Sequence, residues 1–400
     1  MEDDFRLLED ADDFEEDSDD SSYELPVISC KSKAKSVKDY AEAAGYAVRK
    51  EVLLEDVLKD HALHLLPAKA LFRFKTVSRG WDRWISSPLF AHRQTTYFSN
   101  ISGLFHQVDG RIPSFISFDP DACDVPVPSL NFLPEHVYVK TSSKGLLCCQ
   151  SVGENVYYYI CNPVTKEWKK LPEPTLYHGA EAAIVLVFEP NLVNFNESYE
   201  LVCAVTSPDH PVVYFEIYSS RSSSWRVSDT VCCELDGLEF HNGGYYLKGV
   251  VYWESSSGVI LAFDLKDEEY GILPRPANGV QYGNGTLTVR HGELCYILPC
   301  YQDNVCTIYI YGNMDMSLKS VINLTYDAGI TSGVCRALGF ISDDILILAL
   351  GMKVISYHVR EDRVELVGTS KEGPCPTYVP YVNSLASVRH PLIRDRGLIF

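Results

Sequence analysis

The sequence predicts a multidomain α+β chain, a short three-helix block near the amino end followed by a large all-β domain. Three observations carry that expectation. Between Leu53 and Arg93, apolar residues recur at three- and four-residue steps, the spacing that lines one side of a helix. From Ile101 onward the texture changes to short apolar or alternating runs split by Gly, Pro, Asn and Asp, the composition of strands and turns. Those runs form units that start roughly every 45 to 55 residues, so the β half should consist of repeated, similar sheets.

A polar segment precedes both parts. Residues 1–24 hold thirteen Asp or Glu against the single Arg6, which accounts for −12 of the chain's net −19. A like-charge block without apolar periodicity buries too little surface to fold, so 1–35 is expected to be a disordered acidic tail. Phe5, Leu7, Leu8 and Phe14, and the loose cluster Lys31, Lys33, Lys35 and Lys38, are read as solvated parts of this region. The remaining residues carry about −7. No basic face suited to phosphates emerges, so no nucleic-acid partner is expected. No run approaches about 18 apolar residues and the start lacks an apolar signal core, so neither a membrane span nor secretion is expected. Thirteen cysteines, an odd number without C-x-x-C pairs, suit free buried thiols in a reducing compartment, the nucleus or cytoplasm.

The helical block is placed at 50–95. Leu54, Leu58, Ala62, Leu63 and Leu66 fall on one side of a first helix, with Asp56, Lys59, Asp60 and His64 on the other. Pro67 stops that helix and opens the second, because the first helical position needs no N–H. Ala70, Leu71, Phe74 and Val77 continue the spacing. Gly80 sits in the next turn, Trp81, Trp84 and Ile85 make a third apolar face, and Ser86-Ser87-Pro88 breaks it. Three helices this short carry more apolar positions than they cover among themselves, so the stripe is expected to lack intramolecular cover and meet another protein.

Leu54, Leu58, Leu63, Leu66-Pro67, Lys69, Leu71, Arg73-Phe74, Val77, Trp81, Ile85, Pro88 and Phe90 resemble the F-box pattern over some forty residues. Two positions depart from it. Glu55 stands where the pattern has its first proline, which loosens the start of the first helix. Ala62 stands for an isoleucine, a loss on the order of 2 kcal/mol if the site is fully covered. The resemblance implies that Leu54, Leu58, Leu63, Leu66, Pro67, Leu71, Val77 and Trp81 dock onto a Skp-type adaptor, which a cullin bridges to a RING subunit.

The β domain is placed at 100–390. Strands are expected at 144–150, 156–161, 182–188, 199–206, 212–218, 245–253, 259–265, 293–298, 306–311, 344–350 and 353–359. Lys144-Gly145, Lys248-Gly249 and His291-Gly292 each open a unit of strand, strand, polar turn and strand. Asn162-Pro163-Val164-Thr165 is one such turn, and Arg360-Glu361-Asp362-Arg363 is another. Each unit suits a blade of a β-propeller, a closed ring that removes the open edges these strands would expose. Five to six blades fit the length. The segments 143–147 and 161–168 resemble the F-box-associated, kelch-like β-propeller of plants. The likeness continues through 214–225, 247–253, 262–265 and Tyr381-Val382-Asn383-Ser384-Leu385. The loops 118–134 and 189–198 are long, and such loops often carry contacts.

No motif of catalysis is present: G-x-S-x-G, H-E-x-x-H, G-x-x-x-x-G-K-[ST] and G-x-G-x-x-G are all missing from the sequence. His61 and His64 lack a third metal ligand. Asp119, Asp121 and Asp124 lack the glycine and terminal glutamate of a calcium loop. The acid pairs Glu268-Glu269 and Asp343-Asp344 fall in turns. No cofactor, metal or catalysis is expected. Together with the resemblances, this points to a non-catalytic substrate receptor of an SCF-type ubiquitin ligase, holding a protein target on its propeller. A protein-interaction scaffold outside any ligase, its helices packed permanently on the propeller, is the second reading. A ligand- or carbohydrate-binding propeller, needing two convergent carboxylates for hydrolysis, is the third.

Overall fold

Two serines shape the helical block more than its spacing suggests. The computed structural model describes residues 54–153, 156–179, 183–190, 198–207, 211–234, 240, 243–256, 258–276, 285–302, 305–324, 335–370 and 376–388. The acidic segment 1–35 lies outside the described residues. Helix α1 (Leu54–Val57) widens into a π turn at Leu58–Ala62 and tightens into a 3₁₀ turn at Leu63–Leu65. Pro67 stands at the N-cap of α2 (Ala68–Lys75). Ser78 Oγ accepts the Trp81 N–H to cap α3 (Arg79–Ile85). Ser87 Oγ accepts the Phe90 N–H to cap a fourth helix, α4 (Pro88–Tyr97). Among its described residues the block thus has four helices rather than three. Ser86-Ser87-Pro88 is a stop and a restart, because serine caps helices and proline is at home in their first turn.

β1 (Gly103–Gln107) and β2 (Ser114–Ser117) come next. Five four-stranded antiparallel sheets follow in chain order. The first blade is β3 (Val137–Ser143), β4 (Leu146–Ser151), β5 (Tyr158–Asn162) and β6 (Glu167–Lys170). The second is β7 (Ala183–Phe188), β8 (Tyr199–Thr206), β9 (Val213–Ser219) and β10 (Ser224–Cys232). The third is β11 (Tyr245–Leu247), β12 (Val250–Glu254), β13 (Val259–Asp264) and β14 (Tyr270–Pro274). The fourth is β15 (Thr286–Arg290), β16 (Glu293–Gln302), β17 (Val305–Gly312) and β18 (Ser317–Leu324). The fifth is β19 (Cys335–Ser342), β20 (Ile345–Leu350), β21 (Lys353–His358) and β22 (Arg363–Thr369). Finally β23 (Thr377–Tyr381) pairs with β1 to complete a sixth sheet in the order β2–β1–β23. The first strands meet around a ring, β3 against β7, β7 against β11, β11 against β15, β15 against β19, and β23 against β3. The fold is a six-bladed propeller whose last strand pairs with its first.

The repeat starts read from the sequence are hairpin turns. Lys144-Gly145, Lys248-Gly249 and His291-Gly292 have positive φ at both residues, the turn that matches strand twist. The run 245–253, expected as one strand, is therefore two, β11 and β12, folded at Lys248-Gly249. Lys166, Ser223, Glu268, Met316 and Asp362, also at positive φ, lie in the last two positions of the loop between the third and fourth strands of each four-stranded blade. Adjacent Cys148 and Cys149 enter different apolar clusters, as expected for neighbours on a strand. The described cysteines are free thiols, most of them buried.

In sheets of this order, the first-to-second and third-to-fourth turns lie at one end of the ring. The second-to-third turns and the blade-to-blade connections lie at the other. The helices belong to the first end, joined to it by the segment after β23: Ser384 Oγ donates to Lys144 O at 2.6 Å. The loop 118–134 lies there too. Its Pro120 O accepts from Lys69 Nζ, so part of it contacts the chain's own helices. Most of the loop 189–198 lies outside the described residues.

Gly145 marks how tightly that end is packed. At φ 97° a Cβ there would lie 2.0 Å from Ser384 Oγ and 3.1 Å from Val382 O. Gly145→Ala is expected to cost about 2–3 kcal/mol, part backbone strain and part clash. Gly110 has φ 70° with nothing within 4 Å, so Gly110→Ala should show the strain alone, about 1 kcal/mol. Denaturant melts of the two variants check the difference.

Candidate docking sites

The eight residues expected to bind an adaptor divide into two groups. Leu63, Pro67, Leu71 and Trp81 are buried. Trp81 stacks on Phe74 with ring centroids 5.7 Å apart. Leu63, Leu71 and Trp81 share one apolar cluster with Phe105, Val125, Leu133, Tyr381 and Leu385 of the β domain. Leu58 and Leu66 pack partly against it. Leu54 and Val77 face outward, 74% and 62% exposed.

The expectation that the whole stripe lacks intramolecular cover therefore does not hold. Short helices have two apolar sides here, and one of them is spent on the propeller. Ala62 is only half-buried, so the full-cover condition behind its 2 kcal/mol penalty is not met in the free chain. What remains exposed includes residues the spacing missed. Among the described residues, six of the fifteen exposed large apolar side chains lie in this block: Leu54, Val57, Leu65, Val77, Leu89 and Tyr97. The block thus keeps an open apolar side although its other side is covered by the propeller. Among the described residues of the block, Arg73, Arg79 and Arg83 are exposed around them, with Asp60 and Asp82 the exposed acids. The surface is apolar with a cationic rim.

A second concentration lies at the opposite end of the ring. Ile112, Val152, Tyr177 and Met352 are exposed in turns and connections of the sixth, first and fifth blades, which are neighbours in the ring. Tyr177 belongs to the connection between β6 and β7, and that connection is held from within. Glu216 Oε1 accepts the Thr175 N–H at 2.7 Å, and Oε2 accepts the Leu176 N–H at 3.2 Å. His178 Nε2 lies 2.7 Å from Glu216 Oε2, and its Nδ1 lies 2.9 Å from the Tyr158 hydroxyl. Trp225 packs edge-on against the imidazole. The side chains of His178 and Glu216 are wholly buried. Burial raises the Glu216 carboxyl, but the hydrogen bonds from His178 and the two amides outweigh it and hold the group below its usual range. The sequence did carry a signal, a lone glutamate inside the apolar run VVYFEIY.

The other candidate groups have local partners. His61 is exposed, whereas His64 is buried against Tyr97 at 5.0 Å, where burial lowers its pKa. Asp119 Oδ1 accepts the N–H groups of Asp121 and Ala122, each at 3.1 Å, which is a turn cap. Glu268 pairs with Arg226 and accepts from Ser228. Asp343 pairs with His291. Among the described residues no group of His, Cys, Asp and Glu is arranged to hold a metal ion, and no helix is long and apolar enough to cross a membrane.

Comparison with known proteins fits this geometry. The model of the family described as F-box protein At3g26010-like, beta-propeller matches residues 126–337. F-box protein At5g49610 of Arabidopsis thaliana is 29% identical over 256 residues, covering 59% of this chain and 68% of that protein. F-box protein At5g07610 of the same plant is 30% identical over 247 residues, covering 56% of each, so the chain spans little more than half of that relative. F-box/kelch-repeat protein At3g23880 is 24% identical over 264 residues, covering 61% of this chain and 71% of that one. Among solved structures, the GH93 alpha-L-arabinofuranosidase of Fusarium graminearum aligns with a TM-score of 0.38 at 10% identity, over 57% of this chain and 80% of that chain. A likeness that slight carries nothing about function.

Proposed function

Because this chain belongs to the F-box protein β-propeller family, we propose that it is the substrate receptor of an SCF-type ubiquitin ligase and performs no catalysis itself. The observation that carries this is the exposed apolar set on the cationic helices. Leu54 and Val77, with the edges of Leu58 and Leu66, form the contact for a Skp-type adaptor. Leu63, Pro67, Leu71 and Trp81 support that contact from beneath. A cullin then joins the adaptor to a RING subunit, and the far end of the propeller holds a target protein. The receptor contributes effective concentration, since lysines of a tethered target meet activated ubiquitin without a diffusional search. The nucleus or cytoplasm, where free thiols persist, is the compartment that suits it.

Leu54→Asp and Val77→Asp test the contact. Both sites are exposed, so the melting temperature should stay within a degree or two. Each buried interface anchor lost is worth about 2 kcal/mol or more, so the double variant should bind purified adaptor at least tenfold more weakly. Trp81→Ala is a poor probe, because it removes core. Equal binding by wild type and double variant would remove the support for a receptor. The shared core of helices and propeller favours the scaffold reading, and in that case purified adaptor forms no complex with the wild type.

A further inference from the structure

A helix begins with backbone N–H groups that have no partner within the helix. Ser78 and Ser87 supply side-chain acceptors for α3 and α4. α2 has no such residue, because its N-cap is Pro67 and no side-chain cap bond forms there. Its acceptors arrive from the other end of the chain. Asn383 O accepts the Ala68 N–H at 2.9 Å, and Asn383 Oδ1 accepts the Lys69 N–H at 3.1 Å.

The rest of Asn383 is used in the same place. Its N–H donates to Ser102 Oγ at 2.9 Å, and Nδ2 donates to Cys123 O at 3.0 Å and Asp124 O at 3.1 Å. Gln94 of α4 makes a second tie, with Nε2 donating to Leu66 O at 2.9 Å and Oε1 accepting the Leu385 N–H at 2.8 Å. Both amides are fully buried. Asn162 anchors the same segment to the first blade, donating to Ser384 O at 3.0 Å and Ala386 O at 2.8 Å. A buried amide that loses its partners is penalised in full, so parting the helices from the propeller here would strand several such groups.

We propose that Asn383 and Gln94 are positioning residues that lock the adaptor-binding helices to one end of the propeller, making a rigid arm that presents the target from the other end. The latch stands by itself, and its consequence for ubiquitin transfer rests on the receptor reading. Hydrogen exchange of the full chain tests the latch without any partner. In the wild type, α2 and α4 should exchange no faster than the inner strands. In the Asn383→Ala/Gln94→Ala variant, exchange across α2 and α4 should rise at least tenfold while β8 and β12 stay protected. Asn383→Asp keeps the acceptor for Lys69 and loses both donors, so it should restore protection at the start of α2 but not around Cys123. With the reconstituted ligase, the double variant should keep adaptor affinity within threefold of wild type, while the set of receptor lysines that become ubiquitinated widens.

Independent opening of α2 and α4 in the wild type would overturn the proposal, as would an unchanged lysine pattern in the double variant. A wild type that binds no adaptor yet shows the expected exchange would fail the receptor reading and leave the latch standing.

Discussion

Excising Thr377–Val388 is expected to leave no folded propeller. β23 sits between β1 and β3 and closes the ring. Its loss gives β1 an open edge and strips Val379, Tyr381 and Leu385 from the cluster shared with the helices. Each such side chain is worth about 1.5–3 kcal/mol of burial. With the ladder of five residue pairs on β1 also gone, the loss reaches the whole stability of an ordinary domain, about 5–15 kcal/mol. Tyr381 allows a finer test. It is fully buried, meets Phe105 and Phe115 edge-on at 5.3 and 6.0 Å, and donates to Asn162 Oδ1 at 3.2 Å. Tyr381→Ala should cost about 3–5 kcal/mol, and Tyr381→Phe about 1 kcal/mol for the hydrogen bond. Circular dichroism and urea melts read both. A shortened chain that still unfolds cooperatively at the wild-type midpoint would show that closure does not depend on this strand.

The sequence displayed central strands clearly and outer ones poorly, for a physical reason. β5 and β7 are buried along their whole length, so they stand out as apolar runs. β6 and β22 alternate with exposed positions and carry Glu, Lys and Arg, and they pass for turns. The Lys-Gly and His-Gly pairs were visible as a repeat because only a few residues adopt positive φ twice in succession. The adaptor stripe was half legible. Spacing finds the sides of a helix, but it does not say which side another part of the same chain will cover. Hence Leu54 and Leu63 looked equivalent, though one is open and the other sealed. Asn383 falls inside the motif Tyr381-Val382-Asn383-Ser384-Leu385, yet its role is not readable there. A cap supplied across 314 residues leaves no local trace beyond a helix that starts at proline without one. Glu216 does stand out as a lone acid in an apolar run, but its partner His178 does not, since a pair joined across 38 residues has no fixed spacing.

Glu216→Ala is the second large effect expected, about 3–5 kcal/mol, because removing one member of a buried pair strands its partner. His178 loses its 2.7 Å contact, and the Thr175 and Leu176 amides lose their acceptors. The connection carrying Tyr177, which is 79% exposed, would then loosen. Target capture at that end should fall while adaptor binding persists. The pH dependence has a definite sign. The folded carboxyl lies below its usual value near 4.5, so its stabilisation is complete above that value and disappears as pH falls through the folded pKa. Wild type should therefore exceed Glu216→Gln in stability by a constant margin from about pH 7 to 5, and the margin should shrink below about 4.5. Urea unfolding across that range measures it. A margin that stays constant down to about pH 3 would mean that the buried carboxylate does not hold its charge for the sake of this connection, and the loop would have to owe its order to Trp225 and Tyr158 instead.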